Sequence, residues 1–175
     1  LIIPAADLSQ HISTAGTEAS GTSNMKFAMT GSLIIGTRDG ANIEIAREIG
    51  EENIFFFGYQ AHEVNKIRSE MSEGKRDDVR SVLRKVCDYV LAGNFGDISF
   101  FRDYLNSLIK SGDHYLICHD FNQYLKSQEE VDKQYKDLRV WYKKTIVSMC
   151  RMGFFSSDRS IEEYAEKIWK CDKVE

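Results

Sequence analysis

A chain of 175 residues carries 27 acidic and 23 basic side chains, for a net charge of −4, and 42% of it is hydrophobic. That is enough apolar material for one domain with a sizeable core, and the interspersed signs of charge exclude the basic stripe of a nucleic-acid surface. No apolar run reaches membrane-spanning length, no signal peptide is recognisable, and Cys87, Cys118, Cys150 and Cys171 stand far apart without pairing motifs, so they read as reduced thiols of a cytoplasmic protein.

In chain order, Leu1-Ile2-Ile3-Pro4 reads as the end of a buried strand belonging to a longer chain. A long loop, Ala5 to Ser20, follows, then a helix from about Gly21. Leu33-Ile34-Ile35 and Ile54-Phe55-Phe56-Phe57 are unbroken apolar runs too short for helices, and such runs suit strands buried on both faces of a parallel sheet. Between them Ala41 to Ile49 predicts a short helix with Ile43, Ala46 and Ile49 on its apolar stripe, Asp39 as its cap and Gly50 closing it. The resulting β-α-β-α-β progression marks an open α/β sheet. Ligands of such sheets bind beyond the carboxyl ends of the strands, where the 5–20 loop would lie.

Beyond residue 60 the pattern turns helical. Val79, Val82, Leu83, Val86 and Val90 recur at helical spacing, with Asp77 or Asp78 as cap. Phe121, Tyr124, Leu125, Val131 and Tyr135 predict a second helix, and Trp141, Thr145, Ile146 and Met149 a third. Ser160-Ile161-Glu162-Glu163 fits a capping box ahead of a last helix with Tyr164, Ile168 and Trp169. These stripes read as core or domain-packing surfaces. Ser72–Asp78, whose charge run from Glu73 mixes signs, and Gly93–Ser99 are the candidate mobile connections.

The chemistry concentrates in Thr17-Glu18-Ala19-Ser20-Gly21-Thr22-Ser23-Asn24-Met25-Lys26. A glycine-bearing loop entering a helix presents free N–H groups and so suits an anion. With the helix starting near Gly21, Thr22 and Lys26 are i and i+4, and Lys26 leans back toward the helix start. An amine there can form a Schiff base with an aldehyde cofactor that also carries a phosphate, and pyridoxal phosphate has both groups. Gly16 and Gly21 have the spacing of a nucleotide P-loop, but Thr22 stands where that motif needs lysine. The bland alternative is a capped helix with a solvated lysine. Glu18 lies on the ligand side of the loop, where sugar hydroxyls are suitable donors to it; a cap or a salt bridge is its ordinary alternative. His11 lies in the same loop. Asp113, His114, Cys118, His119 and Asp120 lie close in sequence, but on a strand Cys118 and His119 would point opposite ways, so structural roles are favoured over a metal site.

Thr14 to Phe27 resembles the cofactor-lysine segment of the α-glucan phosphorylases, the family of the glycogen, starch and maltodextrin enzymes. Gly36-Thr37-Arg38-Asp39-Gly40-Ala41-Asn42-Ile43-Glu44, Gly50 to Gly58 and Phe155 to Ile161 resemble its following signatures, in order and with fitting spacing over nearly the whole chain. Ser23 stands where many members have glycine, and the serine form resembles the plant-type enzymes. The resemblance implies an α/β fold: residues 1–150 as the C-terminal half of a Rossmann-like cofactor domain of GT-B architecture, and residues 151–175 as a helical crossover toward a missing N-terminal domain. It also implies pyridoxal 5′-phosphate held covalently at Lys26, with Gly21, Thr22 and Ser23 around its phosphate. Glu18, with the N–H groups of Ala19, Ser20 and Gly21, would bind the glucosyl hydroxyls. The implied reaction is phosphorolysis of the non-reducing end of an α-1,4-glucan to α-D-glucose 1-phosphate, with the cofactor's 5′-phosphate exchanging a proton with the substrate phosphate.

By the same resemblance the intact enzyme is a homodimer in the cytoplasm, or in a plastid of a plant or alga, with no nucleic acid or membrane partner. The cationic residues, the glucan-binding domain and any regulatory segments would precede Leu1, so the 175 residues alone are expected to be inactive. Two other classes fit parts of the pattern. A cofactor-free, sugar-nucleotide-dependent glycosyltransferase of the same architecture would not need Lys26. A non-catalytic sugar-binding remnant would tolerate its loss.

Overall fold

Three short strands lie side by side, all parallel, in the order β1 (Leu8–His11), β2 (Leu33–Thr37), β3 (Phe55–Phe57). This is a computed structural model, and it describes residues 2–73, 81–109 and 113–171. Parallel neighbours require crossovers, supplied by α1 (Ser23–Met29) and α2 (Ala41–Ile49). The rest is mainly helical: α3 (Ala61–Ser72), α4 (Ser81–Leu91), α5 (Ser99–Ile109), α6 (Ile117–Tyr135), α7 (Leu138–Arg151) and α8 (Ser157–Glu163). The molecule is thus a mixed α/β protein with a parallel sheet, as the apolar runs imply.

The sheet is buried on both faces, which explains those runs. Along β2, Ile34 points into a cluster with Ala28, Ile45, Ile49 and Ile54 from the α1 and α2 side. Its neighbours Leu33 and Ile35 enter the opposite cluster with Phe55, Phe57, Val131 and Trp141. The strand period of two therefore distributes one apolar run between two cores. Burying each such side chain contributes about 1.5–3 kcal/mol. Helix α7 spans the two cores, with Trp141 stacked on Phe55 in one and Met152, just past its end, in the other. Satellite clusters tie α4, α5 and α6 together through Leu83, Cys87, Leu105 and Cys118, and join Ala15, Val64 and Leu116 under the first loop. The four cysteines are free thiols. Among the described residues no helix is long and apolar enough to cross a membrane.

Several local expectations change. Leu1 lies outside the described residues. Ile2 is 80% exposed, and Ile3–Ala5 form a 3-10 turn led by Pro4, not a strand end. The first strand lies instead inside the expected loop, at Leu8–His11. Three of its four residues are polar, and Ser9 is its buried residue, so hydrophobicity could not reveal it. Helix α2 has the expected bounds and closes on Gly50 at φ 91°. Its buried stripe is Ala41, Ile45 and Ile49 with Asn42 and Ala46, while Ile43 is 38% exposed. Gly40, not Asp39, occupies its cap position.

In α4, Leu83 and Cys87 are buried and Val86 is 48% exposed. Val79, the Asp77 or Asp78 cap, the Val82 side chain and most of the 72–78 segment lie outside the described residues. The helix α5 was not foreseen, although Phe101, Leu105 and Leu108 repeat at helical spacing. The last cap is Ser156, whose hydroxyl accepts from the Arg159 N–H at 3.2 Å. Ser160 lies within α8, because a serine four residues earlier already satisfies the free donors of the first turn.

Candidate functional site

The carboxyl ends of β1 and β2, the loop leading to α1 and the turn leading to α2 enclose a cleft of about 390 Å³. His11 and Thr37 come from the strand ends; Glu18, Ser20 and Gly21 from the loop; Asn24 from α1; Asp39 and Asn42 from the second turn. It lies outside the carboxyl ends of parallel strands, the side on which open α/β sheets bind ligands.

One turn of chain, residues 38–41, holds the loop. The Asp39 carboxylate is 8% exposed and accepts three successive backbone N–H groups: Gly16 at 2.9 Å, Thr17 at 3.2 Å and Glu18 at 2.8 Å. Two residues on, the Ala41 N–H donates to the Ser20 carbonyl at 2.5 Å. Gly40 between them has φ +49°, and a Cβ there would run into the Ser20 carbonyl and lie 3.2 Å from Cγ of Glu18. Glycine is therefore required both for the backbone and for the space.

A buried amide chain forms the floor. Asn24 Nδ2 donates to Asn42 Oδ1 at 2.9 Å, and Asn42 Nδ2 donates to the Thr37 carbonyl at 3.0 Å. The Thr37 hydroxyl donates to the Ser13 carbonyl at 2.6 Å. These bonds join α1, α2, β2 and the first loop. Gly36 permits the approach: a Cβ on it would be 2.6 Å from the His11 carbonyl oxygen and 2.7 Å from Asn42 Nδ2. His11, at the end of β1, makes an Nε2–Ser9 Oγ contact of 3.1 Å and an edge contact with Phe27. Burial lowers its pKa, which favours the neutral imidazole.

The sequence-derived residues fall into two groups. Glu18, Ser20, Gly21 and Ser23 line the cleft, whereas Ala19, Thr22 and Lys26 do not. Helix α1 begins at Ser23, two residues later than expected, with Thr22 at its cap position and Gly21 at φ +80°. The Lys26 N–H donates to the Thr22 carbonyl at 3.3 Å, so the two residues do stand one turn apart, and both side chains are exposed. Among the described residues, none of the backbone N–H groups of Ala19, Ser20, Gly21, Thr22 and Ser23 donates to a protein acceptor. The donors to Asp39 stop at Glu18, where this open run begins.

Sequence reasoning missed Asp39, Asn42, Asn24 and Thr37 as parts of this site. The available signal was Thr37-Arg38-Asp39-Gly40-Ala41-Asn42, a polar stretch directly after a buried strand. The Asp113 group resolves differently. Cys118 and His119 lie on α6, not on a strand, and Asp113 caps that helix, accepting from the N–H groups of Ile117 at 2.8 Å and Cys118 at 2.7 Å. It also lies 3.3 Å from Nδ1 of His119. Burial, reinforced by Asp113, pushes the Cys118 thiol up to about 12, which disfavours its thiolate form.

A sequence profile described as carbohydrate phosphorylase matches residues 1–171. The chain is 51% identical over 174 residues to "Glycogen phosphorylase 2" of Dictyostelium discoideum, covering 99% of this chain and 17% of that protein. It is 49% identical over 177 residues to "Glycogen phosphorylase" of Saccharomyces cerevisiae, covering 99% of this chain and 20% of that one. It is 48% identical over 181 residues to "Alpha-1,4 glucan phosphorylase L-1 isozyme, chloroplastic/amyloplastic" of Solanum tuberosum, covering 100% of this chain and 18% of the other. The chain spans about a fifth of the length of the curated relatives it matches.

Proposed function

The chain belongs to the carbohydrate phosphorylase family, and from that premise we propose that it is the C-terminal part of an α-1,4-glucan phosphorylase, which cleaves the non-reducing end of a glucan with phosphate to give α-D-glucose 1-phosphate. The observation that carries this reading is the meeting, in one cleft, of Glu18 with Ser20, Gly21 and Ser23, whose backbone N–H groups are open. A carboxylate accepts from sugar hydroxyls, and adjacent N–H groups serve a sugar oxygen or an anion. Glu18 with the N–H groups of Ala19, Ser20 and Gly21 would bind the glucosyl unit.

Gly21, Thr22, Ser23 and Lys26 would hold pyridoxal 5′-phosphate, with Lys26 as its covalent anchor. Their donor chemistry fits that group: uncommitted N–H groups for a phosphate, and an amine one helical turn inside α1. The chemistry pyridoxal phosphate supplies when bound is proton exchange between its 5′-phosphate and the substrate phosphate. Lys26 anchors without relaying that proton. Among the described residues lining the cleft there is no lysine or arginine, although two phosphates in contact need cations. Those cations, the glucan-binding domain and the remainder of a GT-B cofactor domain are assigned to the upstream part of the same protein. Residues 1–150 complete that domain, and residues 151–175 cross toward the other one. The apolar side chains that α8 and the following turn leave exposed, Ile161, Tyr164, Ile168 and Trp169, support such a crossing. The partners on this reading are glucan, inorganic phosphate and a second copy of the enzyme, in the cytoplasm or in a plastid.

The test uses the full-length protein. Phosphorolysis of glucan is assayed as α-D-glucose 1-phosphate, and the cofactor is fixed with borohydride and mapped by peptide mass. A pyridoxyl group on Lys26 is expected. An adduct on another lysine, or on none, defeats the assignment. Lys26→Arg keeps the charge but not the covalent anchor, so cofactor content should fall sharply.

A further inference from the structure

We propose that Asp39 is a positioning residue for Glu18: its buried carboxylate clamps the loop so that the Glu18 side chain is presented to the sugar. This rests on the reading of Glu18 as the glucosyl-binding carboxylate. Three consecutive N–H groups converge on Asp39, and the last and shortest of these bonds, 2.8 Å, comes from Glu18 itself. Such bonds are charge-assisted and act together as a nest around one anion. The other end of the segment is fixed through the Ser20 carbonyl on the Ala41 N–H, so residues 39–41 grip the loop on both sides of Glu18. Gly40 leaves the space that the Glu18 side chain crosses.

Asp39 also lines the cleft, so direct contact with the sugar is the competing role. A carboxylate has about four lone-pair directions, and three donors already occupy most of them. Glu18 spends none of its side-chain capacity on this network and remains available to hydroxyl donors. One acidic residue is thus committed to the loop, and the other is left for the ligand.

The experiment uses the full-length enzyme and two readouts. Asparagine at position 39 presents an NH₂ where one carboxylate oxygen accepted, so Asp39→Asn loses at least one of the three bonds. Hydrogen exchange of the peptide containing Gly16, Thr17 and Glu18 should accelerate in Asp39→Asn, with cofactor content unchanged. The value of kcat/KM for phosphorolysis should fall roughly tenfold or more, the scale of one bond to a charged group. In a Glu18→Gln background the same change should cost less than about twofold, because its route of action is already cut. Unchanged exchange in that peptide overturns the clamp. A full additional loss on top of Glu18→Gln overturns the link to Glu18. If Asp39→Asn fails to fold, exchange is read in the unsubstituted full-length enzyme, where the Gly16, Thr17 and Glu18 amides should exchange well below the free-peptide rate; exchange at the free-peptide rate overturns the clamp. A full-length protein without phosphorolysis would refute the functional reading alone, since the exchange measurement still decides the clamp.

Discussion

Glu18, proposed above as the sugar-binding carboxylate, has the local surroundings of an ordinary surface residue. It is exposed, its backbone N–H is committed to Asp39, and its side chain reaches the cleft. Among the described residues its carboxylate accepts no hydrogen bond and is open to the hydroxyl donors of the proposed sugar. Glu18→Gln in the full-length enzyme should therefore leave folding and cofactor content intact and weaken transition-state binding of the glucosyl unit. A hydrogen bond to a charged group is worth about 1.5–3 kcal/mol, so kcat/KM should fall roughly tenfold or more. Loss of cofactor with unchanged turnover per bound cofactor would assign Glu18 to the loop's structure instead. Sequence spacing pointed to Glu18 because it stands next to a glycine loop. It could not point to Asp39, which lies 21 residues from Glu18 and meets it only through the fold.

At the scale of elements, the junction of β3, α3 and α6 carries a titratable group of its own. Asp120, in the first turn of α6, lies under the bend after β3: a Cβ on Gly58 would be 3.2 Å from its carboxyl group. Burial, reinforced by Asp113 and opposed by the Tyr59 N–H and His119, raises its pKa to about 6 from 3.8. Among the described residues its Oδ1 has no hydrogen-bond partner. The sign follows from proton counting. Between about pH 4 and pH 6 the folded state binds more protons at this site than the unfolded one, so stability falls as pH rises through that window. Asp120→Asn keeps an acceptor for Tyr59 and removes the buried charge. It should raise the melting temperature of the full-length protein at pH 7 and have little effect at pH 4. Equal shifts at both pH values would show that Asp120 does not titrate in this window.

As a whole molecule, the 175 residues present surfaces that their own chain does not complete. Among the described residues nothing pairs with the outer edge of β1, and a parallel edge of this kind favours aggregation when left bare. Among the described residues no lysine or arginine lines the cleft, and the apolar face of the last helical turns is exposed, with Trp169 at 59%. The 175-residue chain expressed alone, given pyridoxal phosphate, glucan and phosphate, should form no α-D-glucose 1-phosphate. Adding the upstream part in trans should restore turnover. Robust activity from the 175 residues alone would overturn this division of labour.

Much of the α/β framework was legible in the sequence, because a strand buried on both faces must be apolar at every position and a short helix must alternate at its own period. Leu33–Ile35, Ile54–Phe57 and the bounds of α2 follow from those constraints, and the spacing of Thr22 and Lys26 follows from the helix alone. The polar strand Leu8–His11 escaped, since its identity comes from pairing with β2 and not from its own side chains. The cap of α8 and the exposure of Ile43 and Val86 escaped because periodicity marks a stripe but not which neighbour covers it. For the site, the sequence alone supplied the candidates proposed for an anion, an aldehyde and a sugar, since donor type and local spacing are properties of a short stretch of chain. Only the tertiary structure decided that Asp39 takes the N–H groups up to Glu18 and leaves those beyond it open, because that choice depends on two loops brought together by the parallel register of β1 and β2.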